Sequence, residues 1–417
     1  MTCTPFTATA AISPAMVQRA WISGLDTWRA AVDGALGYWQ GACQRGITPF
    51  HVAGDLSRWW GETSNRRAPG WATQNRVVLE CPLVRLRDFS DGGEPRVVPT
   101  LLVPPQAGHA SCIVDYSSAQ SQVKTARAAR LTRLYSLDWV GATRETKDAG
   151  IEDYVAFMDR AIEHIGGPVN VIGDCQGGWL STIYAALRPE HVHTLTIAGA
   201  PIDFHAGDAV IHDYVRLLSP ADLGLYRDVV RLGGGVMKGA FMLNGFIAIK
   251  PENEIAKHLQ LLANIHDAEH VTRHRAFEDW FKHTQDIPGA FYLWIVEHLF
   301  RDNALIRGEL TVGGARVDLR RISCPLNLLA GETDHITPPP QVFALAGAVS
   351  TPPQHIVQRT TRGGHLGLFM GRGALREHWP PIVADAFERS QAGGGLASAR
   401  RRATAASPVE RDPIPAP

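Results

Sequence analysis

Residues 169–181 read VNVIGDCQGGWLS, and this stretch decides the fold. A short apolar run is followed by small and polar residues and then by an apolar segment with helical spacing, which predicts a strand, a tight turn and a helix. Gly173 and Gly177 flank Cys175, and such a turn needs glycine there because the backbone bends sharply between closely packed elements. Cys175 is either a nucleophile at the turn or a small buried apolar residue, and the flanking glycines favour the nucleophile.

The residues around this stretch continue the same alternation of strand and helix. The predicted buried strands are 97–103, 134–140, 169–174 and 193–199. The predicted helices between them are 121–133, 151–165 and 178–191. Two further segments, 76–80 and 83–89, have the pattern of paired edge strands. This alternation predicts an α/β protein with a mostly parallel central sheet and helices on both faces.

The alternation breaks for a long, mostly helical stretch and then resumes. The interruption, 203–315, is predicted to be a helical cap inserted into a core formed by 76–202 and 316–390. Residues 1–75 are a predicted helical extension. Residues 391–417, rich in Gly, Ala, Pro and Arg, are a predicted disordered tail.

A thiol nucleophile needs a base and an acid that orients the base. On a sheet of this kind the acid follows a late strand and the histidine follows the last strand. Asp334 in LLAGETDHITPP and His365 in TRGGHLGLF meet that order. Asp334 has an alternative role as the N-cap of the next helix, and the neighbouring His335 competes with it. We expect Cys175, Asp334 and His365 to form a catalytic triad.

Backbone amides near the turn are the predicted donors to an oxyanion. The N–H of Gln176 opens the helix, and the PPQAGH loop supplies the N–H groups of Gln106 and Ala107, because proline has none. The N-terminus of the helix favours a thiolate. The carboxylate of Asp174 opposes the thiolate if it faces the sulfur.

The composition excludes several classes of function. Lys plus Arg and Asp plus Glu number 41 each, so no basic field attracts nucleic acid or acidic membranes. The six cysteines include no CxxC pair, which predicts reduced thiols in a cytoplasmic protein rather than disulfides or a zinc site. No secretory signal and no run of about 18 apolar residues is visible, so no transmembrane helix is expected.

Two patterns have the look of ligand sites but are interpreted otherwise. His266, His270 and His274 recur at helical spacing, yet no carboxylate or cysteine completes a recognisable metal site, so a solvated helix face is favoured. The GGG at 233–235 lacks the strand and the Lys-Ser or Lys-Thr of a phosphate loop and is interpreted as a hinge of the cap. No metal and no cofactor is predicted.

Residues 20–40 predict an amphipathic helix with a tryptophan stripe. The residues near one face are Trp21, Leu25, Trp28, Val32, Leu36 and Trp39. Docking of this face on the protein's own body is the favoured interpretation. Contact with a hydrophobic polymer or a lipid surface is the alternative.

With these residues the chain resembles the polyhydroxyalkanoate synthase and intracellular polyhydroxyalkanoate depolymerase group of α/β-hydrolases, which use a cysteine nucleophile. The segments VNVIGDCQGGW (169–179) and GETDHITP (331–338) are similar to the synthases. The segment GGHLGLFMGRGALREHWPPI (363–382) is closer to the depolymerases, and 286–329 looks like both. The resemblance, over about 76–390, implies an α/β-hydrolase fold with a helical cap and the triad named above.

The resemblance implies acyl transfer. The first hypothesis is hydrolysis of a 3-hydroxyalkanoate polyester or oligomer. It is favoured by the chain length, because synthases of this group usually carry a substantial extra N-terminal region and only about 75 residues precede the first strand here, and by the depolymerase-like histidine segment. The second is polymerisation of hydroxyacyl-CoA, favoured by Gly178 in the turn and by the acid turn. A third is a non-catalytic protein that binds a granule or lipid surface. The expected partners are a hydroxyacyl ester, polyester or acyl-CoA and a polyester granule surface, with a homodimer as a further alternative.

Overall fold

The computed structural model describes residues 14–92, 97–211 and 223–391, with side chains from residue 21 onward. Contacts divide the chain into two units, one formed by the residues up to 68 with 240–283 and the other by 69–239 with the residues from 284 onward. The domain boundaries expected from the sequence stay a prediction, and the tail predicted at 391–417 lies outside the described residues except for its first residue.

A central sheet of eight strands dominates the second unit. The described strands are β1 (Arg76–Cys81), β2 (Val84–Asp88), β3 (Thr100–Val103), β4 (Leu134–Trp139), β5 (Val169–Asp174), β6 (Val192–Ala198), β7 (Val236–Met237), β8 (Ile287–Pro288), β9 (Thr311–Val312), β10 (Ala315–Arg316), β11 (Leu326–Gly331) and β12 (Ile356–Thr361). The order in the large sheet is β1-β2-β4-β3-β5-β6-β11-β12. The pairs β7–β8 and β9–β10 form two small separate sheets.

The strand directions confirm the predicted fold class. β1 pairs antiparallel with β2 and β2 antiparallel with β4, whereas every later pair in the large sheet is parallel. β5 and β6 are buried along their whole length, as expected for parallel strands that are covered on both faces. The mostly parallel sheet, with its crossover helices and a strand–turn–helix at the end of β5, is an α/β-hydrolase fold.

The helices alternate with these strands and also fill the long interval between β6 and β11. The described α-helices are α1 (Pro14–Gln44), α2 (Pro49–Ser64), α3 (Gln122–Ala128), α4 (Ile151–Ile165), α5 (Gln176–Leu187), α6 (Gly224–Leu232), α7 (Gly239–Ile249), α8 (Pro251–Ala263), α9 (Ala268–Phe281), α10 (Gly289–Trp294), α11 (Ala304–Arg307), α12 (Pro339–Ala348), α13 (His365–Met370) and α14 (Trp379–Gln391). Short 3₁₀ turns occupy Ser111–Asp115, Pro189–His191, Leu319–Arg321 and Pro353–His355, and π-helical turns occupy Ile295–Arg301 and Ala374–His378.

Helix α4 has the bounds predicted from the sequence. Tyr154 and Met158 lie one turn apart on its buried face. At its start the carboxylate of Asp153 accepts a hydrogen bond of 2.8 Å from the amide of Gly150. At its end Gly166 adopts φ 90°, a left-handed conformation that favours glycine.

Two other helices are shorter than predicted, and the prediction was wrong at their C-terminal ends. The helix expected to reach residue 133 ends at Ala128, because Arg130 adopts φ 67° and turns the chain toward β4. The helix expected to reach residue 191 ends at Leu187, and Pro189 then begins a 3₁₀ turn. Proline cannot donate the backbone hydrogen bond that would continue the helix.

Helices α1, α2, α8 and α9 lie in the first unit. α1 packs along α8 with Gly34 against Leu259, where an added Cβ at Gly34 would lie 2.4 Å from the Leu259 Cβ. The indole N–H of Trp59 on α2 donates a 2.9 Å hydrogen bond to the carbonyl of His258 on α8. The contact of Gly34 with Leu259 shows which face of α1 is covered.

The tryptophan stripe of α1 points away from that contact. Trp21, Trp28 and Trp39 retain 71%, 65% and 54% of their surface exposed, and Leu25 and Leu36 are also exposed. The favoured interpretation, docking of this stripe on the protein's own body, was therefore wrong for these side chains. Among the described helices none is both long and apolar enough to cross a membrane. Contact of the stripe with a hydrophobic surface stays a prediction.

Candidate active site

The turn between β5 and α5 holds Cys175 in a conformation that few residues adopt. Its backbone has φ 49° and ψ −119°, and its amide donates a 2.8 Å hydrogen bond to the carbonyl of Ala198 on β6. A Cβ on Gly177 would lie 1.9 Å from the carbonyl oxygen of Val103, and one on Gly173 would lie 2.6 Å from the carbonyl oxygen of Gly177. Only glycine fits at either flank, as the sequence predicts.

Gly178 is required by packing as well. A Cβ there would lie 2.4 Å from the Cβ of Ala200 and 3.2 Å from a methyl group of Ile197. The second glycine thus lets α5 pass close to the end of β6 and the loop after it. Packing therefore explains the double glycine whether the chain is more similar to the synthases or to the depolymerases.

His365 and Asp334 lie beside Cys175. Asp334 follows β11, and His365 is the first residue of α13, in the loop that follows β12. Nε2 of His365 is 3.1 Å from Sγ of Cys175, and Nδ1 of His365 is 2.7 Å from Oδ2 of Asp334. The three residues expected to act together are therefore in contact, in the order thiol, imidazole, carboxylate.

The electrostatics of the three residues favour a charged histidine. Burial raises the pKa of Asp334, but His365 and hydrogen bonds from Thr337 outweigh it, so the pKa is below its ordinary value. Burial lowers the pKa of His365, but the charges of Asp334 and Cys175 outweigh it, and the pKa is well above its ordinary value. The arrangement can hold a proton on His365 while the sulfur carries negative charge.

Thr337 orients the carboxylate and was not found from the sequence. The amides of Ile336 and Thr337 each donate a 2.9 Å hydrogen bond to Oδ1 of Asp334. The Thr337 hydroxyl donates to Oδ2 at 2.8 Å and lies 3.2 Å from Nδ1 of His365. The alternative role of Asp334 as a cap of α12 was wrong, because that helix begins at Pro339 with Pro338 as its N-cap residue. A threonine three residues after the acid was the available signal.

The loop that carries the predicted oxyanion donors is held by buried side chains. The hydroxyl of Tyr154 donates a short hydrogen bond to Oε1 of Gln106, and the indole N–H of Trp139 donates to the carbonyl of Pro104 at 2.8 Å. Within the described residues the amides of Gln106, Ala107 and Gln176 donate no hydrogen bond to another protein group. They are free to receive an anion, and their role stays a prediction.

The carboxyl of Asp174 is directed into the protein interior. Asp174 is 1% exposed, and its Oδ2 accepts a 2.7 Å hydrogen bond from Nε2 of Gln122 on α3. Burial raises the pKa of Asp174 to about 8, against which the hydrogen bond from Gln122 and the charge of His365 act. A pKa raised in this way favours the uncharged form of the carboxyl near neutral pH, and that form does not oppose a thiolate.

Two other thiols, Cys112 and Cys324, have surroundings that disfavour their charged form. Burial raises the pKa of Cys112 and the pKa of Cys324 to about 12. Both thiols therefore stay protonated at neutral pH, and within the described part of the chain neither has a histidine hydrogen bond like that of Cys175.

The predicted solvated histidine face was wrong for one of its members. His266 is exposed, but His274 is buried, and burial with nearby positive charges lowers the pKa of His274 to about 4. Among the described residues the cluster with metal-ligand spacing is a different one, Glu254, His258 and Glu278. Lysine and arginine side chains already pair with both carboxylates of that cluster, so it is an ion-pair network rather than a cation site.

Comparison with known proteins places the chain among related sequences. Residues 83–384 match the family described as Protein of unknown function (DUF3141). A poly(3-hydroxyalkanoate) polymerase subunit PhaC from Allochromatium vinosum is 26% identical over 321 residues, which cover 75% of this chain and 88% of that protein. The subunit of the same name from Haloferax mediterranei is 26% identical over 77% of this chain and 65% of that protein.

A protein from Rhizobium meliloti, described as an uncharacterized protein in the ackA 5'region, is 30% identical over 68% of this chain and 40% of its own length. Among solved structures, a monoacylglycerol lipase from Paleococcus ferrophilus is 16% identical with a TM-score of 0.42, over 70% of this chain and 97% of the other. The strand order and the sequence relatives together make this chain an α/β-hydrolase-fold enzyme of the acyl-transfer type.

Proposed function

This chain belongs to the DUF3141 family, whose members are described as proteins of unknown function, and we propose that it transfers 3-hydroxyacyl groups through a thioester on Cys175. The observation that carries the proposal is the 3.1 Å contact between Nε2 of His365 and Sγ of Cys175, with Asp334 on the other ring nitrogen. A thiol, a base in hydrogen-bond reach and a group that orients the base are what covalent acyl transfer needs.

The first half of the reaction acylates the sulfur. His365 takes the thiol proton at Nε2 while Asp334 holds Nδ1, and the sulfur attacks the carbonyl carbon of the acyl donor. The carbonyl electron pair moves to oxygen, where the amides of Gln176, Gln106 and Ala107 stabilise it. When the carbonyl re-forms, the bond to the leaving group breaks, and the leaving group takes the proton from His365.

The second half passes the acyl group to an acceptor with an O–H bond. His365 takes the acceptor's proton, the acceptor oxygen attacks the thioester, and Cys175 leaves as a thiolate that recovers its proton from His365. With the hydroxyl of a growing chain as acceptor the product is a polyester. With water as acceptor the product is a free hydroxy acid.

We infer that the natural donor is a 3-hydroxyacyl-CoA and the acceptor a hydroxyl group. The relatives from Allochromatium vinosum and Haloferax mediterranei carry the name of polymerase subunits. The chemistry agrees, because exchange of one thioester for another is nearly balanced, whereas forming an enzyme thioester from an ester is uphill. A thioester on Cys175 also retains enough free energy to acylate an alcohol.

Hydrolysis of 3-hydroxyalkanoate polyester or oligomer is the second candidate. The observation that favours it is the segment 363–382, which carries His365 and resembles the depolymerases more than the synthases. This candidate uses the same residues and differs only in the donor and the acceptor. Association with a polyester granule, cytoplasmic location and a homodimer stay predictions under either candidate.

The test supplies purified protein with 3-hydroxybutyryl-CoA and measures released CoA thiol, soluble hydroxybutyrate and insoluble polymer. Polymer formed in proportion to CoA supports the proposal. CoA release with hydroxybutyrate alone, or hydroxybutyrate release from polyester without action on the CoA ester, supports the hydrolytic candidate. If Cys175→Ala retains the activity of the unmodified enzyme in every one of these assays, the cysteine mechanism is wrong.

A further inference from the structure

The buried pair Asp174 and Gln122 has two acceptor oxygens without a hydrogen-bond donor among the described residues. Gln122 donates from Nε2 to Oδ2 of Asp174 at 2.7 Å. The two remaining oxygens of the pair, Oδ1 of Asp174 and Oε1 of Gln122, are both buried and have no hydrogen-bond partner among the described residues. Two buried acceptors without a donor are costly, and native proteins rarely keep them.

A single proton on Oδ1 would satisfy both oxygens, because a carboxylic acid and an amide can form a cyclic pair with two hydrogen bonds. We propose that Asp174 is a neutral carboxylic acid in the working enzyme, and that its cyclic pair with Gln122 is a positioning element for Cys175 and His365. This inference rests on the proposed function for its effect on catalysis, but not for the protonation state itself.

The pair connects the turn at Cys175 to the helix that carries His365. Asp174 is the last residue of β5 and directly precedes Cys175. Nε2 of Gln122 also lies 3.3 Å from the carbonyl oxygen of Phe369, and the side-chain amide of Gln120 donates to the carbonyl oxygen of Met370 at 2.5 Å. Both carbonyls belong to α13, which begins with His365. Gln122 thus joins the residue before Cys175 to the helix that begins with His365.

The charged group that acts on Asp174 from a neighbouring element is His365 on α13. α3 contributes the uncharged Gln122, while Lys124 of that helix bonds to the carbonyl of Ser118 and Arg127 to Asp91. The segments Thr100–Val103 and Gln176–Leu187 contain no charged side chain, and Asp174 pairs in register with an alanine on β6.

Loss of the proton would change the site in two ways. A carboxylate at Asp174 cannot donate to Oε1 of Gln122, so the cyclic pair opens. The new negative charge is on the residue that precedes Cys175 and acts on His365, so it disfavours further negative charge in the site, on the sulfur and on the oxyanion of the substrate. The pKa of Asp174 near 8 places this change just above neutral pH. Activity should fall there for a reason separate from the triad.

The first measurement needs no substrate. Aspartate labelled with ¹³C at the carboxyl carbon is incorporated, and NMR spectra are recorded from about pH 6 to about pH 10, with the Asp174 signal assigned by its loss in Asp174→Asn. We expect a signal of a neutral carboxylic acid at the lowest pH that titrates near pH 8. A signal that is already that of a carboxylate at about pH 6 overturns the proposal.

The second measurement compares pH profiles of kcat/KM, each enzyme scaled to its own value at about pH 7. The asparagine of Asp174→Asn keeps the cyclic pair and cannot ionise, so its scaled value at about pH 9 should exceed that of the unmodified enzyme by about tenfold. Asp174→Leu, which cannot pair, should lose activity at every pH without changing the position of the triad's own titration. Equal scaled profiles for the unmodified enzyme and Asp174→Asn overturn the positioning role.

If no acyl donor is turned over, the proposed function fails while the NMR titration still decides the protonation state. If an acyl donor is turned over but the NMR titration shows no neutral acid at Asp174, the proposed function stands and the proposal about Asp174 fails. The two failures are therefore distinguishable.

Discussion

Nε2 of His365 lies 3.1 Å from Sγ of Cys175, although 190 residues separate the two in the chain. The parallel sheet brings them together, because β5 and β12 both end at the same edge and their following loops meet there. Removal of the sulfur should therefore abolish chemistry while leaving the fold intact. Cys175→Ala is expected to lower kcat by at least about a thousandfold. Single-turnover assays with an acyl-CoA would measure it.

The acyl adduct itself offers a sharper check on the same residue. Mass spectrometry after brief exposure to an acyl-CoA should find the acyl group on Cys175. Cys43 is an exposed free thiol and serves as an internal control for non-specific acylation. Equal labelling of both thiols would contradict an activated nucleophile at Cys175.

Asp334→Asn should act on the rate and on the pH profile together. The amide cannot attract the imidazolium, so kcat should fall by about a hundredfold or more with little change in KM. The pKa of His365, which Asp334 raises, should fall, and the limb of the pH profile that reports it should move to lower pH. Steady-state kinetics across pH measure both effects.

Thr337→Val is the graded comparison for that variant. It removes the hydroxyl that lies 2.8 Å from the carboxylate but keeps the charge, so its loss of kcat should be about tenfold and its pH limb should move less. A larger effect for Thr337→Val than for Asp334→Asn would contradict the view that Thr337 acts only by orienting the carboxylate.

Tyr154→Phe should loosen the loop that carries the oxyanion donors. The hydroxyl of Tyr154 holds the side chain of Gln106, so its removal should reduce kcat by about tenfold and leave KM nearly unchanged. Tyr184→Phe is a matched control, since Tyr184 is also buried and hydrogen-bonded, but to Asp159 and His191. The loop assignment fails if the two variants lose kcat equally.

The parts that could be predicted from sequence are those encoded by local patterns. The paired glycines around Cys175 report a backbone bend, and the apolar strands report a buried parallel sheet, so the order of acid and histidine could be placed on it. Gln122 could not be found in this way, because its contact with Asp174 joins segments far apart in the chain and no spacing rule marks it. Thr337 lies only three residues after Asp334, but that spacing alone does not show that its hydroxyl also reaches His365.

The errors have similar physical causes. The helix predicted through Arg130 ends early because Arg130 itself adopts a left-handed conformation. This conformation is uncommon for residues other than glycine, and nothing in the sequence indicates it here. His274 was predicted to lie on a solvated face because no carboxylate or cysteine nearby in the sequence completes a metal site, yet its side chain is buried and its ring lies 6.1 Å from that of His258 on α8. Trp21 and Trp28 were predicted to be covered, because amphipathic helices usually bury their apolar face, yet both side chains are exposed.

The exposed stripe of α1 leads to a separate prediction about insoluble substrate. Tryptophan side chains at an interface bury large apolar areas, so Trp21→Ala combined with Trp28→Ala should weaken binding to amorphous polyester particles. Turnover of a soluble acyl-CoA should be unaffected, because these residues lie outside the unit that holds Cys175. Co-sedimentation with polyester particles measures the binding, and Arg29→Ala on the same helix is the control. Unchanged sedimentation of the double variant would contradict the prediction.

The buried acid at Asp174 also predicts how stability depends on pH. In the unfolded chain this carboxyl ionises near its ordinary pKa of 3.8, whereas in the folded protein its pKa is about 8. Between these values the unfolded state gives up a proton that the folded state keeps, so stability falls as pH rises, by about 1.4 kcal/mol per pH unit at most. Asp174→Asn has no such titration. The unfolding free energy of Asp174→Asn should therefore increase relative to that of the unmodified protein as pH rises from about 5 to about 7.5.

Urea unfolding at those two pH values measures this gain directly. Asp318→Asn is the control, because hydrogen bonds that Asp318 accepts from Arg320 lower its pKa to about 2. Asp318 is ionised in both the folded and the unfolded chain across that range, so its variant should differ from the unmodified protein by the same amount at both values. If the Asp174→Asn difference is equally constant, the carboxyl is already ionised in the folded protein, and Gln122 faces a buried charge rather than a neutral acid.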